Sequence, residues 1–378
     1  MIYLDYAANA PVEAPVLDAF LTAEQTFVGN PNSNHPAGQA ALAAMERATE
    51  SIAALLGAEP NEIIYTSGAT EANNLAIKGI AYAKRHTGHH IISTPLEHSS
   101  VGGSLTYLQE QGWEIDFLDI TRDGTADLQQ LRELLRQDTV LAAICAVDSE
   151  LGTIQPLDKI KAILKDYPNC HLHIDATQAF GRIPVSFAGV DTLSLAPHKF
   201  GGLNGSGLLL KRKNLVLEPQ LHGGGSTTIY RSGTPAAALA VSIETALRLA
   251  LQHRAERFEQ AVLYNQMLRE SLIRYTGVRI NSPENSVPQI LNLSVQNVRG
   301  TVFQRVLAER GVCVSVKSAC SAQGTPSGAV FAVSRDRKNA LSSWRVSISH
   351  RTTEDQLSAF LQIFDDCYRK LTGKEGAI

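Results

Sequence analysis

Six short and almost unbroken apolar runs recur through the first two-thirds of the chain: EIIYTSG, HIISTP, TVLAAICAV, CHLHID, TLSLA and GSGLLLK, the first at residue 62 and the last ending at residue 211. A strand exposed on one face alternates apolar and polar residues. Runs apolar at nearly every position instead read as strands covered on both faces, in a parallel or mixed sheet flanked by helices. The segments between them supply the helices. QAALAAMERATESIAALLG places apolar residues at helical spacing and stops at Gly57, a natural C-cap, and ATEANNLAIKGIAYAKR follows the first strand after a turn at Gly68. An α/β class follows. From about Ala236 to Thr276 the pattern is helical throughout, and from GVRINS onward a second, α+β unit runs to the C-terminus.

A chain of 378 residues exceeds what one compact core usually organises, so two domains are expected. With 44% hydrophobic and 19% charged residues the balance is globular, and a net charge of -3 argues against a nucleic-acid partner. No apolar run reaches the length of a membrane span, and Asp5 falls where a signal peptide would be apolar, so a cytoplasmic protein is expected. The five cysteines, Cys145, Cys170, Cys313, Cys320 and Cys367, form neither a C-x-x-C pair nor a zinc-type spacing. Cys145, inside LAAICAV, reads as a buried structural thiol. Cys320 differs. It stands in VSVKSACSAQGTPSG, a run of small and polar residues that cannot pack firmly and reads as a mobile loop.

In an open α/β sheet, ligands collect at the carboxyl ends of the strands. Polar groups cluster there: Gly68 to Thr70, His98, Asp148 with Ser149, Asp175 with Gln178, and His198 with Lys199, each following one apolar run. Lys199, in SLAPHKFGG, is an exposed loop lysine on composition alone. Desolvated between apolar residues and a Gly-Gly turn, it would instead be a usable nucleophile in the Schiff-base role. A lysine bound to pyridoxal phosphate needs an acidic partner for the pyridine nitrogen and a phosphate cradle. Asp175 suits the first task and equally suits an N-cap after a strand. TSGATEANN suits the second, since helix N-terminal N–H groups bind phosphate. His98 could stack on the ring, or simply cap a helix.

Together and in this order, the motifs resemble the cysteine desulfurases of the NifS/IscS-like group, within the class-V aminotransferase family of fold-type I pyridoxal-phosphate enzymes. The resemblance runs the length of the chain through YLDYAANAPV, GNPNSNHPAG, TSGATEANNLAIKG, LEHSSV, ELGTIQP, IDATQAFG, PHKFGG, SACS and WRVSISHRTT. It implies a large domain over 14–254 with a mostly parallel seven-stranded sheet between helices. It also implies a smaller α+β domain from 1–13 and 255–378, carrying a mobile catalytic-cysteine loop at about 314–335. By the same resemblance Lys199 holds the cofactor and moves the substrate's α-proton, Asp175 faces the pyridine nitrogen, and Gln178 hydrogen-bonds the ring oxygen. His98 stacks on the ring and serves as a catalytic acid/base group, and Ala69, Thr70 and His198 bind phosphate, joined by Thr234 from the second subunit of a homodimer. Arg345 grips the substrate carboxylate, although a strand-edge arginine in a surface ion pair is the plainer reading of that residue alone. Cys320 takes sulfur from L-cysteine as a persulfide and delivers it to an acceptor protein for iron–sulfur assembly or for tRNA or cofactor thiolation.

The chain departs from the family pattern at several positions. Ser149 stands where an asparagine is usual, Ala196 where a serine is, Tyr6 and Asn9 alter the expected LDNAATTP start, and Ser226-Thr227 replaces Gln-Glu. Ser149 and Asn9 are therefore candidate substrate contacts. The departures keep open a lyase or aminotransferase acting on another amino acid, such as selenocysteine or cystine.

Overall fold

The computed structural model describes residues 1–225, 227–317, 324–374 and 376. Its strands are β1 (Ile2–Tyr3), β2 (Ile63–Thr66), β3 (His90–Ser93), β4 (Glu114–Phe117), β5 (Thr139–Cys145), β6 (His171–Asp175), β7 (Thr192–Leu195), β8 (Gly207–Lys211), β9 (Val278–Ile280), β10 (Ile290–Val295), β11 (Val312–Cys313) and β12 (Ser343–Ser347). Seven form one sheet in the order β2-β8-β7-β6-β5-β3-β4. Only β8 runs antiparallel to its neighbours in that sheet. The six apolar runs are β2, β3, β5, β6, β7 and β8. The seventh strand, β4, escapes a search for apolar runs because it lies at the sheet edge, with Glu114 and Phe117 exposed.

Both faces of the sheet are covered, and the two-residue side-chain period divides its apolar residues between two cores. Ile92, Ala142, Ile144, Leu208 and Leu210 face one core, together with α1 (Ala14–Thr26), α2 (Pro36–Leu56) and the helix Ala237–Gln252. Ile91, Leu141, Ala143 and Leu209 face the other, against α3 (Ala69–Lys84) and α4 (Ser99–Glu110). Each fully buried Leu or Ile here contributes about 1.5–3 kcal/mol of transfer free energy, so displacing either helical layer is costly. α2 ends as its sequence indicates, with Gly57 in the left-handed conformation (φ 65°).

The long helical pattern after residue 236 is two helices, Ala237–Gln252 and Arg254–Leu272. They break at His253, whose N–H closes the first helix on the carbonyl of Leu249 and whose carbonyl accepts from Arg257 in the second. The C-terminal unit contains the antiparallel sheet β12-β10-β9 and a core around Trp344, Phe303 and Phe364, with the Phe303 and Trp344 rings stacked at 5.1 Å. The N-terminus is stitched into this unit. β1 pairs in parallel with β11, and Leu4 is buried in the Trp344 core, while Ala7, three residues on, joins the core of the large sheet. Residues 5–9 therefore cross from one unit to the other beside the carboxyl ends of the large-sheet strands. No described helix is long and apolar enough to cross a membrane.

Candidate active site

A cavity of about 350 Å³ opens at those strand ends. Its wall includes Ala69 and Thr70 from the start of α3, His98 after β3, Ser149 after β5, Asp175 and Gln178 from β6 and its turn, His198 and Lys199 after β7, and Arg345 from β12. Ala7 and Ala8 of the crossing segment also line it. Tertiary structure thus gathers nine of the candidates, Ala69, Thr70, His98, Ser149, Asp175, Gln178, His198, Lys199 and Arg345, into one volume of the size that holds a cofactor and a small substrate.

The turn entering α3 depends on glycine at two places. Gly68, the N-cap of α3, sits at φ 155°, ψ 175°, a region essentially confined to glycine. β8 passes directly beneath, and a Cβ on Gly207 would lie 2.5 Å from the Cα of Gly68. The turn is held further by Glu71, which accepts from the Ser67 N–H at 2.7 Å and pairs with Arg231 at 2.8 Å. Among the described residues nothing accepts from the first backbone N–H groups of α3, the groups that a phosphate would use.

Asp175 is buried, and both its oxygens are occupied. Oδ1 accepts from the Thr177 N–H at 2.9 Å, and Oδ2 accepts from Nδ2 of Asn73 at 2.8 Å. The N-cap reading of Asp175 does not hold, because residues 177–182 after β6 form a turn and not a helix; Oδ1 braces that turn while Asp175 lines the cavity wall. Asn73, wholly buried in α3, also donates to Ser100 Oγ at 2.9 Å and accepts from Ser194 Oγ at 2.5 Å. Because a carboxylate only accepts, the Asn73 amide nitrogen must face Asp175, so its Oδ1 faces Nε2 of His173 at 3.0 Å. Burial pushes the His173 imidazole down to about 4, so it is neutral with its proton on Nε2. Asn73, Ser100 and His173 were not singled out from sequence. An asparagine on the buried face of the helix after the glycine turn was the available signal.

His98 combines two roles that its sequence context left as alternatives. Its Nδ1 accepts from the Ser100 N–H at 3.2 Å, capping α4, while its ring lines the cavity. Burial, aided by the charge of Lys199, lowers its pKa, so the neutral ring carries its proton on Nε2. His198 is likewise pushed down to about 4 by burial and by Lys199. Lys199 Nζ donates to the carbonyls of Ala7 at 2.9 Å and Ala8 at 2.6 Å.

Arg345 is not the surface arginine that residue-by-residue reading favoured. It is 1% exposed and pairs with Asp5 at 2.9 Å, while another nitrogen donates to the Ser149 carbonyl at 2.5 Å. Cys145 is buried as expected and also reaches the cavity wall, with its thiol pushed well up by burial and by Glu97. Other candidates lie elsewhere. Thr234 lines a neighbouring cavity with Thr227 and Arg231, which shares only Ser67 and Gly205 with the first. Tyr6 faces a third cavity on the other side of Lys199. Asn9 is half-buried with its carbonyl accepting from Tyr3, and lines none of these cavities. Cys320 and Ser226 lie outside the described residues.

The residues present fit pyridoxal phosphate. A buried carboxylate, a lysine and a glycine turn at a helix N-terminus line one cavity, and the buried Thr177 hydroxyl in its wall has no hydrogen-bond partner among the described residues.

The chain is similar to known proteins along nearly its whole length. The family model described as aminotransferase class-V matches residues 2–360. The chain is 36% identical to the cysteine desulfurase IscS of Dictyoglomus turgidum over 98% of this chain and 95% of that protein. Among solved structures, a NifS-like protein superposes with a TM-score of 0.91 at 32% identity, covering 99% of this chain and all of that one. A structure described as SspA in complex with cysteine superposes with a TM-score of 0.81 at 32% identity, covering 92% of this chain and 99% of that one.

Proposed function

The chain belongs to the class-V aminotransferase family, in its NifS/IscS-type cysteine desulfurase branch, and from that premise we propose that it is a pyridoxal-phosphate-dependent cysteine desulfurase. The net reaction converts L-cysteine and the Cys320 thiol into L-alanine and a Cys320 persulfide. The carbon–sulfur bond of the substrate breaks, a sulfur–sulfur bond forms at Sγ, and hydrogen replaces sulfur on the substrate carbon. The observation that carries the reading is the convergence of Lys199, Asp175, His98 and Arg345 on one cavity.

Bound pyridoxal phosphate supplies an electron sink that stabilises negative charge at the substrate's α-carbon. Asp175, fixed by Asn73 and the Thr177 N–H, presents a carboxylate to the pyridine nitrogen. The N-terminal N–H groups of α3, with Thr70 and His198, hold the phosphate. Lys199 tethers the cofactor and moves the α-proton at Nζ. Arg345 binds the substrate carboxylate, a task that suits its planar fork of donors. Its ion pair with Asp5 fixes one edge of that fork. Neutral His98 stacks on the ring and can hand over the proton on Nε2. The persulfide then passes to an acceptor protein, serving iron–sulfur assembly or thiolation, and the enzyme works as a homodimer in which Thr234 reaches the partner's site.

Mass spectrometry after brief exposure to L-cysteine, alongside an alanine assay, tests the proposal. One added sulfur on the Cys320 peptide, absent in Cys320→Ala, together with alanine, is the expected result. Alanine without that adduct would indicate direct sulfur release. A keto acid in place of alanine would indicate an aminotransferase.

A further inference from the structure

Gln178 lies in the cavity wall, and behind it, outside that wall, sits Arg182. Arg182 is 8% exposed, and among the described residues no carboxylate lies within ion-pair distance of it. Burial, with the charge of Arg345, pushes its guanidinium down only to about 9, so it remains charged at neutral pH. A buried cation needs acceptors. Arg182 takes two from one residue, because its NH1 donates to the Gln178 carbonyl at 2.8 Å and also to Gln178 Oε1.

This arrangement settles which way the Gln178 amide faces. Guanidinium has donors only, so the amide atom against it must be the oxygen. On the other side Nε2 donates to the Ala7 carbonyl at 2.9 Å, the same oxygen that receives Lys199 Nζ. An amide nitrogen carries two hydrogens, and Ala7 takes one. The second N–H is left for the cavity. Of the two constraints, the contact with Arg182 is charge-assisted, hence about twice as strong as a neutral hydrogen bond.

We propose that Arg182 is a positioning residue that locks the Gln178 amide with an N–H, not its carbonyl, toward the ring oxygen of the cofactor. The inference rests on the pyridoxal-phosphate reading above. A donor facing that oxygen favours its anionic form and lowers the proton affinity of the bound chromophore, whereas a carbonyl facing it does the opposite. Arg182 acts through Gln178 and touches neither cofactor nor substrate.

The test is a spectrophotometric pH titration of the bound cofactor in the holoenzyme, comparing wild type with Arg182→Met, Arg182→Gln, Arg182→Lys, Gln178→Met and the Arg182→Met/Gln178→Met double variant. Gln178→Met should raise the absorbance midpoint by about one pH unit, the scale of one lost hydrogen bond to a charged group. Arg182→Met should reproduce most of that rise, and the double variant should rise no further than Gln178→Met alone. Arg182→Gln, whose amide can present either atom, should behave like Arg182→Met and carries the test should Arg182→Met not fold. Arg182→Lys, still a pure donor, should restore at least half of the shift. Two results would overturn the proposal: Arg182 variants within about 0.2 unit of wild type, or shifts that simply add in the double variant, which would mark Arg182 as a distant charge only. A wild type that never acquires the cofactor absorbance overturns the cofactor reading and this proposal together; normal absorbance with unmoved variants overturns this proposal alone.

Discussion

Replacing Asn73 with leucine, a side chain of similar volume, keeps the packing of α3 against the sheet and deletes only the amide. Three groups lose their partner, Asp175 Oδ2, His173 Nε2 and Ser194 Oγ, while Ser100 Oγ loses one of two and keeps His98 Nδ1 at 2.9 Å; all four residues are no more than 7% exposed. A buried polar group left unsatisfied costs about 1–3 kcal/mol. Ser100 and Ser194 can rotate toward other acceptors, whereas Asp175 and His173 are fixed in β6, so a net loss of about 2–6 kcal/mol is expected. At roughly 2.1 cal/mol/K per residue, 378 residues give an unfolding entropy near 0.8 kcal/mol/K, hence a fall in Tm of about 3–8 °C. Thermal scans of the cofactor-free protein at one scan rate measure it, with Asn74→Leu as the control. Asn74 is next in sequence, but its amide donates only to the Thr70 carbonyl at the helix surface, so that variant should move Tm by less than about 1 °C. A fall of under about 2 °C for Asn73→Leu would refute the claim that this amide organises the site.

Two further outcomes follow from the same geometry. The Glu97 carboxyl accepts from Thr94 and the Cys145 N–H, its Oε2 is buried without a partner among the described residues, and burial raises its pKa from 4.5 to about 8. Between those two values the folded protein holds a proton that the unfolded chain has released, so the wild type loses stability as pH rises from 4.5 to about 8. Glu97→Gln cannot titrate, and its Tm relative to wild type should climb by about 3 °C or more across that window and stay flat below it; parallel Tm curves from acid to neutral pH would refute this. Arg345→Lys exchanges a planar fork for a point charge, so the KM for L-cysteine should rise about 10- to 100-fold while cofactor absorbance is kept. A KM within about twofold of wild type would place the substrate carboxylate elsewhere.

Much of the site was legible from residue order because secondary structure repeats along the chain. Apolar runs too uniform for a one-sided strand marked β2, β3, β5, β6, β7 and β8, and in such a sheet the residue after a strand lies at the ligand edge by construction. His98, Asp175 and Lys199 could therefore be placed before their neighbours were known. β4 escaped because an edge strand need not be apolar. The break at His253 escaped because its flanks share one helical pattern.

What sequence alone determined was the class of fold, the family and the edge of the sheet where chemistry gathers, since each depends on local periodicity or on motifs read in order. Only the tertiary structure decided which polar groups meet. Asn73 reaches Asp175 across 102 residues, Arg345 reaches Asp5 across 340, and Lys199 reaches Ala7 across 192. No local pattern encodes such contacts. They exist because burying both faces of the sheet brings α3, the crossing segment at residues 5–9 and β12 against the same strand ends. A buried polar group must then be satisfied by whatever the packing places beside it.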